Sequence, residues 1–134
     1  MKLSVKSDYA ARAMLELACR EGDGRAHRAE ALAAIVGTSA NYLVQILIDL
    51  KSAGLVQSVR GKHGGYRLGK KPKEISLGAV LRAVEGEVFE TPALEDKDCP
   101  SELRGAWAAV REGTNTAADA ITFDHLLEAR GLKQ

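Results

Sequence analysis

Residues 51–73 contain the side chains whose chemistry is easiest to interpret in this sequence of 134 residues. The run holds seven basic residues and no acidic one: Lys51, Arg60, Lys62, Arg67, Lys70, Lys71 and Lys73. Seven unopposed positive charges favour the binding of a polyanion, and DNA is the commonest polyanion that such a surface binds. A turn whose charges only keep the protein in solution is the simpler alternative.

A glycine-rich turn lies in the middle of this basic run, between two short apolar segments. Its three glycines are Gly61, Gly64 and Gly65. Glycine permits positive φ angles and lets a backbone approach phosphate groups closely. We expect Arg60 at the tip to enter a narrow minor groove, whose negative potential attracts arginine, and Lys62 and His63 to contact the flanking phosphates. A nucleotide-binding P-loop does not fit, because no helix is predicted to begin directly after these glycines.

An amphipathic helix is predicted immediately upstream of the basic run. Its apolar residues recur at the i, i+3, i+4, i+7 spacing of one helix face, in Leu43, Ile46, Leu47 and Leu50. The opposite face presents Ser39, Asn41, Val44, Gln45 and Ile48. A polar N-terminal half beside a basic turn is typical of a recognition helix, which enters the major groove by its N-terminal residues.

The side chains at the start of this helix suit different contacts with DNA. We expect Asn41 or Gln45 to pair with an adenine through two hydrogen bonds, and Val44 to touch a thymine methyl group. Ser39 and Tyr42 suit phosphate contacts, which position a protein without specifying a sequence. Simple solvation of the two amide side chains is the alternative.

Spacing and capping residues predict a fold that is mainly α with a small β-hairpin. The predicted helices are 5–21, 28–36, 39–53, 76–86, 101–118 and 122–129. The predicted hairpin strands are 55–59 and 66–68. Ser7 is expected to cap the first helix and Ile35 to face inward from the second. Three helices followed by a hairpin make a winged helix-turn-helix.

Charge is divided unevenly along the chain. Residues 1–75 hold 13 lysines and arginines against 7 acids, whereas residues 76–134 hold 6 against 11. This asymmetry suggests a nucleic-acid face and a separate acidic part. The sequence lacks an apolar signal core and any apolar run near the ~18 residues of a membrane span, so we expect a cytoplasmic protein. Cys19 and Cys99 are then expected to be thiols or metal ligands rather than a structural disulfide.

Four stretches carry residues in a more specific order. They are Lys2-Leu3-Ser4 with Tyr9-Ala10 and Arg12-Ala13; Tyr42-Leu43-x-Gln45; Ala53-Gly54-Leu55-Val56-x-Ser58-Val59-Arg60-Gly61-x-x-Gly64-Gly65-Tyr66-x-Leu68; and Ile75-Ser76-Leu77-Gly78 with Ala83-Val84-Glu85-Gly86. In these stretches the chain resembles the Rrf-two family of bacterial winged-helix regulators, densely over residues 1–90 and more weakly beyond.

The resemblance implies a homodimeric transcriptional regulator, most often a repressor, that binds a pseudo-palindromic operator in double-stranded DNA. It implies a winged-helix domain at 1–86, a sensor-type loop at 87–100 and C-terminal dimerisation helices at 101–134. Apolar residues at helical spacing, namely Trp107, Ala108, Val110 and Phe123, suit dimer or core packing. The DNA-contacting set predicted from residues and resemblance together is Ser39, Asn41, Tyr42, Val44, Gln45, Lys51, Arg60, Gly61, Lys62, His63, Gly64 and Gly65.

The sequence departs from the family pattern at two positions of the recognition helix. Val44 stands where the family often has an acidic residue, so the base preference is expected to differ. Asp49 stands where a basic residue is usual, which is expected to weaken a phosphate contact.

A larger departure concerns sensing. Iron–sulfur members of the family carry three cysteines after the fourth helix, whereas residues 87–106 hold only Cys99. One thiolate cannot supply the ligands of an ordinary cysteine-bound cluster, so no cofactor is predicted. The resemblance leaves one alternative, in which Cys99 and Asp8 of both subunits hold a cluster. Otherwise Asp8 is an exposed acid in the first turn of a helix, where the helix dipole favours it.

The cysteines and histidines allow some further functions and exclude others. Cys99 precedes a helix start, which suits either a thiol redox switch or an inert thiol in a mobile loop. Cys19 is expected to be a small buried residue. No histidine shares a ligand spacing with a cysteine, so zinc is not expected. Cys99 with His125 is the only candidate pair of nucleophile and base, and neither lies in a catalytic motif, so the chain is not expected to be an enzyme. A regulatory protein partner that docks on the acidic C-terminal part is a further alternative.

Overall fold

Six helices and one two-stranded sheet make up residues 2–132, the part of the chain that this computed structural model describes. The helices are α1 (Val5–Cys19), α2 (Ala29–Val36), α3 (Ala40–Ser52), α4 (Leu77–Glu85), α5 (Ser101–Asp119) and α6 (Phe123–Ala129). The strands are β1 (Val56–Val59) and β2 (Gly65–Leu68). Short 3-10 turns lie at Glu21–Asp23, Pro72–Glu74 and Pro92–Leu94. The prediction of a mainly α fold with a small hairpin is confirmed.

The apolar face of α3 forms the centre of the core. Its four predicted inward residues, Leu43, Ile46, Leu47 and Leu50, are each 0% exposed. In α2 the buried residues are Ala29, Leu32, Ala33 and Val36, which occupy one helix face at the i, i+3, i+4, i+7 spacing. Ile35 falls outside that face and is 47% exposed, so the prediction that it faces inward is wrong.

The first turn of α1 differs from its prediction. Ser4, and not Ser7, is the N-cap residue of this helix. Ser7 lies inside the first turn, is 1% exposed, and donates its hydroxyl to Glu85 Oε1 at 2.9 Å. Because a buried hydroxyl needs a hydrogen-bond partner, the distant carboxylate determines the position of Ser7 more than the capping preference of serine does.

The two strands form an antiparallel hairpin that extends from the helices as a wing. Val56 pairs with Leu68 and Val59 pairs with Gly65, so residues 60–64 form the turn. The segment before α2 adds a third contact, because the backbone of His27 pairs with that of Tyr66. The wing is therefore attached to the helical core along β2 as well as through β1.

The last helix returns to the core beside α1. Leu77 N donates to Ile121 O at 2.7 Å and Phe123 N donates to Ile75 O at 3.0 Å, which joins the start of α6 to the start of α4. Phe123 and Leu127 belong to the main hydrophobic cluster and are almost fully buried. By contrast, Ala118 is the one buried residue of the 19-residue helix α5.

Within residues 2–132, no single helix combines the length and apolar character needed to cross a membrane. The pair formed by α2 and α3 passes that test when taken together, but it is bent by 106°.

Candidate nucleic-acid interface

The N-terminal end of α3 presents polar groups to solvent. Ser39 is the N-cap, and its hydroxyl oxygen accepts a hydrogen bond from Tyr42 N at 3.2 Å. A hydroxyl that accepts in this way keeps its own hydrogen for donation to another acceptor. Asn41 and Gln45 are exposed and lie four residues apart, and they therefore share one helix face. This face has the donor and acceptor groups that can pair with a base edge.

Two residues that the sequence assigns to DNA also have packing contacts. The rings of Tyr42 and Tyr9 meet edge to face, with their centroids 6.0 Å apart. Val44 is half-buried and packs against the core. Farther along α3, Ile48 and Lys51 are exposed. The exposed surface of α3 therefore extends over three turns.

The tip of the wing carries exposed positive charge. Arg60 and Lys62 are exposed, as is His63 beside them. Gly64 N donates to Gly61 O at 3.0 Å and closes the turn. This hydrogen bond closes a tight turn whose basic side chains are exposed to solvent.

Different physical causes explain why glycine occupies each of the three positions in the wing. Gly61 has φ of 103° with open space around it, which agrees with the expected freedom of the turn. Gly64 is buried, and a Cβ there would lie 2.3 Å from Val59 O. A Cβ on Gly65 would lie 2.4 Å from His27 O. Gly64 and Gly65 are therefore required by the packing of the wing itself, so close approach to phosphates is not needed to explain them.

The unusual acid of α3 has a partner within the chain. Asp49 Oδ2 lies 2.6 Å from Lys6 Nζ, which joins α3 to the first turn of α1. Lys6 is about one third exposed, and so is Asp49. The carboxylate is therefore neutralised by an ion pair that the spacing of the sequence does not reveal.

The C-terminal end of the loop at 87–100 is held by hydrogen bonds. Arg104 Nη2 donates to Cys99 O at 2.8 Å and to Asp96 O at 3.3 Å. Cys99 is 8% exposed, and its Sγ lies 3.6 Å from Pro100 O. The rings of Phe89 and Trp107 stack with centroids 6.2 Å apart. The thiol of Cys99 is therefore buried in a hydrogen-bonded turn.

The other candidate sensor residues have local partners. Asp8 is 54% exposed and its Oδ2 lies 2.9 Å from Arg12 Nη2, one turn along α1. Cys19 is half-buried and its Sγ lies 3.2 Å from Arg130 Nη1, so the prediction of a buried residue is wrong. Both side chains are thus in contact with arginines, which are not metal ligands.

Two carboxylates at the ends of helices are stabilised in their charged form. The hydroxyls of Ser4 and Ser7 hydrogen-bond to Glu85 and, with the charge of Lys6, hold the pKa of this carboxyl below its ordinary value of 4.5. Burial acts to raise the pKa of Glu16, but its hydrogen bonds with Arg20 and Arg130 outweigh burial and lower that pKa. Glu85 therefore links α4 to α1, and Glu16 links α1 to the residue after α6.

The donor set does not fit an iron–sulfur cluster. Such clusters are held mainly by cysteine thiolates, and the loop that would supply them has one cysteine, buried as described. Within residues 2–132 of one chain, no group of three or more histidine, cysteine or acidic side chains is placed to hold a metal ion.

Comparison with known proteins identifies the family. The model of the family Rrf2, described as an iron-dependent transcriptional regulator, matches residues 3–129. The regulator CymR of Bacillus subtilis is 36% identical over 94% of this chain and 89% of its own length. The regulator IscR of Aliivibrio salmonicida is also 36% identical, over 100% of this chain and 82% of its own length.

Solved structures agree with the sequence comparison. A structure of CymR from B. subtilis, the global cysteine regulator, matches with a TM-score of 0.81 at 31% identity and covers 96% of this chain and 98% of that one. T. potens IscR matches with a TM-score of 0.80 at 32% identity, over 97% and 88% of the two chains. The chain therefore belongs to the Rrf2 family of winged-helix transcriptional regulators, and it is a DNA-binding regulator rather than an enzyme.

Proposed function

We propose that the chain is a homodimeric repressor that binds a pseudo-palindromic operator, with α3 in the major groove and residues 60–65 of the wing on the adjacent minor groove. The observation that carries this proposal is the occurrence of an exposed amide face on α3 together with an exposed basic wing tip in one small domain. The amides offer sequence readout, and the positive charges offer affinity for any DNA.

Readout of sequence is assigned to the first two turns of α3. Asn41 and Gln45 each carry an amide that can pair with adenine through two hydrogen bonds. Their exposure on one face supports this role. Val44 is half-buried, so only part of its side chain is available to a thymine methyl group. Ser39 and Tyr42 are assigned to phosphates at the edge of the groove.

The wing and the end of α3 are assigned to the backbone and the minor groove. Arg60 is exposed at the tip, where a narrow minor groove would attract a guanidinium group. Lys51, Lys62 and His63 are exposed and suit neighbouring phosphates. Each phosphate contact adds to the dependence of affinity on salt concentration, because it releases a bound counterion.

The surface of α5 supports the proposed dimer. Five exposed small or apolar residues recur at alternating spacings of three and four: Leu103, Ala106, Val110, Gly113 and Ala117. This is the spacing of a helix–helix seam, and small residues let two helices approach closely. Leu103 and Val110 are each 46% exposed in the single chain. A second copy of α5 is proposed to cover them.

Repression is proposed because a dimer that occupies an operator can exclude other proteins from the same DNA. The proposed place of action is the cytoplasm, where a bacterial chromosome lies. Control by a redox change at Cys99 or by a docked protein is the alternative. The burial of Cys99 and the hydrogen bonds of its turn argue against the redox change.

Selection of binding sites from a random double-stranded DNA library tests the proposal. We expect the purified protein to enrich two half-sites related by two-fold symmetry and spaced by about one helical turn or a multiple of it. Light scattering is expected to give twice the chain mass of 14.3 kDa. In transcription in vitro, the protein should reduce transcript from a promoter that overlaps the enriched site. Enrichment of single half-sites, or a monomer in solution, would contradict the dimer.

A further inference from the structure

Three helices meet at a cluster of polar side chains around the first turn of α1. Lys6 Nζ lies 2.6 Å from Asp49 Oδ2 on α3. The hydroxyls of Ser4 and Ser7 donate to Glu85 Oε1 at the end of α4, the latter at 2.9 Å. We name these five residues, Ser4, Lys6, Ser7, Asp49 and Glu85, the three-helix joint. It connects α1, α3 and α4.

The chemistry of the joint favours one arrangement. Ser7 is 1% exposed, and a buried hydroxyl without an acceptor is costly, so Glu85 has to stay in place. Ser4 occupies the N-cap position of α1, but its side chain makes no capping hydrogen bond and its hydroxyl donates to Glu85 instead. The carboxylate of Glu85 therefore lies at the N-terminal end of α1, where the helix dipole favours an anion. The positive charge of Lys6 acts on both Asp49 and Glu85.

The joint lies between two parts of the chain with different tasks. Asp49 is four residues after Gln45 and follows it by about one turn of α3. Glu85 is the last residue of α4, and the loop at 87–100 begins two residues later. A shift of α3 along or about its axis would break the Lys6–Asp49 pair, which joins α3 to α1.

We propose that Asp49 and Glu85 are positioning residues for operator recognition. Asp49 holds α3 against α1, and Glu85 holds α4 against α1, so that Asn41 and Gln45 meet the base edges in register. Neither residue touches DNA in this role. The inference rests on the proposed function, because it takes α3 to be the recognition helix. It also explains the presence of Asp49, whose negative charge on α3 would by itself oppose DNA binding.

Neutralising Asp49 separates positioning from simple electrostatics. If the carboxylate acts only as a negative charge near DNA, Asp49→Asn will raise affinity for operator and random DNA by the same factor, because phosphate attraction does not depend on sequence. If Asp49 positions α3, the same change will lower the ratio of operator affinity to random-DNA affinity. The two explanations therefore predict different changes in one measured ratio.

The experiment uses the full chain, the selected operator and a duplex of scrambled sequence, with binding followed by fluorescence anisotropy. We expect Asp49→Asn, Lys6→Met and Glu85→Gln each to lower the affinity ratio about 5-fold. The double variant Lys6→Met with Asp49→Asn should lower it no more than the worse single change. The charge swap Lys6→Asp with Asp49→Lys should restore the ratio to within about 2-fold. Glu30→Gln, which removes an exposed acid of α2, is the control and should leave the ratio unchanged.

Two results distinguish failure of this inference from failure of the proposed function. If Asn41→Ala and Gln45→Ala lower the ratio but Asp49→Asn and Lys6→Met do not, the positioning role is wrong and the recognition helix stands. If Asn41→Ala and Gln45→Ala also leave the ratio unchanged, the assignment of α3 itself is wrong. Circular dichroism shows whether each variant folds. If Asp49→Asn does not fold, the ratio of operator affinity to random-DNA affinity measured for Lys6→Gln and for the charge swap tests the positioning role instead.

Discussion

The backbones of His27 and Tyr66 exchange two hydrogen bonds, each 2.8 Å long. This pair attaches β2 to the segment before α2 and brings the carbonyl of His27 against the residue that precedes Tyr66. A side chain at position 65 would therefore have to occupy space that a main-chain oxygen already fills. The pair thus sets both the inclination of the wing and the identity of residue 65.

Gly65→Ala is expected to lower the free energy of unfolding by roughly 2–3 kcal/mol. Its Cβ would lie 2.4 Å from His27 O, and its φ of 142° is unfavourable for alanine. Urea unfolding measures the change. Gly61→Ala is the matched control, because its φ is also positive but open space surrounds it, and it should cost only about 1 kcal/mol. Equal costs at the two positions would mean that the contact with His27 is unimportant.

Arg60→Ala is expected to weaken operator binding by about 1–3 kcal/mol, because the proposed minor-groove contact is lost. Anisotropy titration against the selected operator measures this change. Lys97→Ala removes an exposed cation from the acidic part of the chain and should have no measurable effect. Unchanged affinity in the Arg60 variant would remove the wing tip from the interface.

Val110→Glu is expected to convert the proposed dimer into a monomer. A carboxylate in an apolar helix–helix seam would lose its hydration without a partner, which costs several kcal/mol. Analytical ultracentrifugation measures the mass, and operator affinity should fall with it. Glu112→Lys, on another exposed face of α5, should leave the dimer intact. A dimeric Val110 variant would place the seam elsewhere.

The two thiols are expected to react at different rates with an aromatic disulfide reagent. Cys19 is half-buried, whereas Cys99 is buried in its turn, so Cys19 should react about tenfold faster or more in the folded protein. Cys19→Ser should abolish the fast phase, and Cys99→Ser should abolish the slow one. A fast phase that belongs to Cys99 would restore it as a redox switch.

Glu16→Gln is expected to destabilise the protein at pH 7 by up to about 1 kcal/mol, because the ion pairs with Arg20 and Arg130 are lost. The pKa of Glu16 lies below 4.5 in the folded chain, so its contribution is present above pH 4.5 and disappears as pH falls through the folded value. The difference between wild type and variant should therefore shrink below pH 4.5 in urea unfolding. Glu128→Gln, an exposed acid of α6, should show no such pH dependence. A difference that persists at low pH would require another cause.

Local patterns predicted the helices and the hairpin because their information is contained in neighbouring residues. The spacing of apolar residues in α3 placed its inward face correctly, and the predicted start of this helix at residue 39 agrees with its N-cap, Ser39. The same spacing argument failed for Ile35. Almost every residue of the eight-residue helix α2 is apolar, so the sequence does not show which face of this helix is buried.

Contacts between distant residues account for what the sequence did not reveal. The partner of Ser7 is Glu85, and the partner of Asp49 is Lys6, which is 43 residues away. Nothing in the spacing of either pair marks them as neighbours. The reasons for Gly64 and Gly65 likewise depend on carbonyl groups that only the folded wing brings near. The number of glycines predicted a turn, but it did not show at which positions a side chain would collide with the backbone.

The return of α6 to α1 limits how this regulator can be recombined with others. Phe123 and Leu127 fill the same core as the winged helix, although 37 residues or more separate them from Gly86. A chimera that takes the DNA-reading portion as a cassette ending at Gly86 would leave an apolar groove open on α1. Exchange of specificity between family members therefore has to move α6 together with α1–α4, or else replace only the surface residues of α3 and the wing.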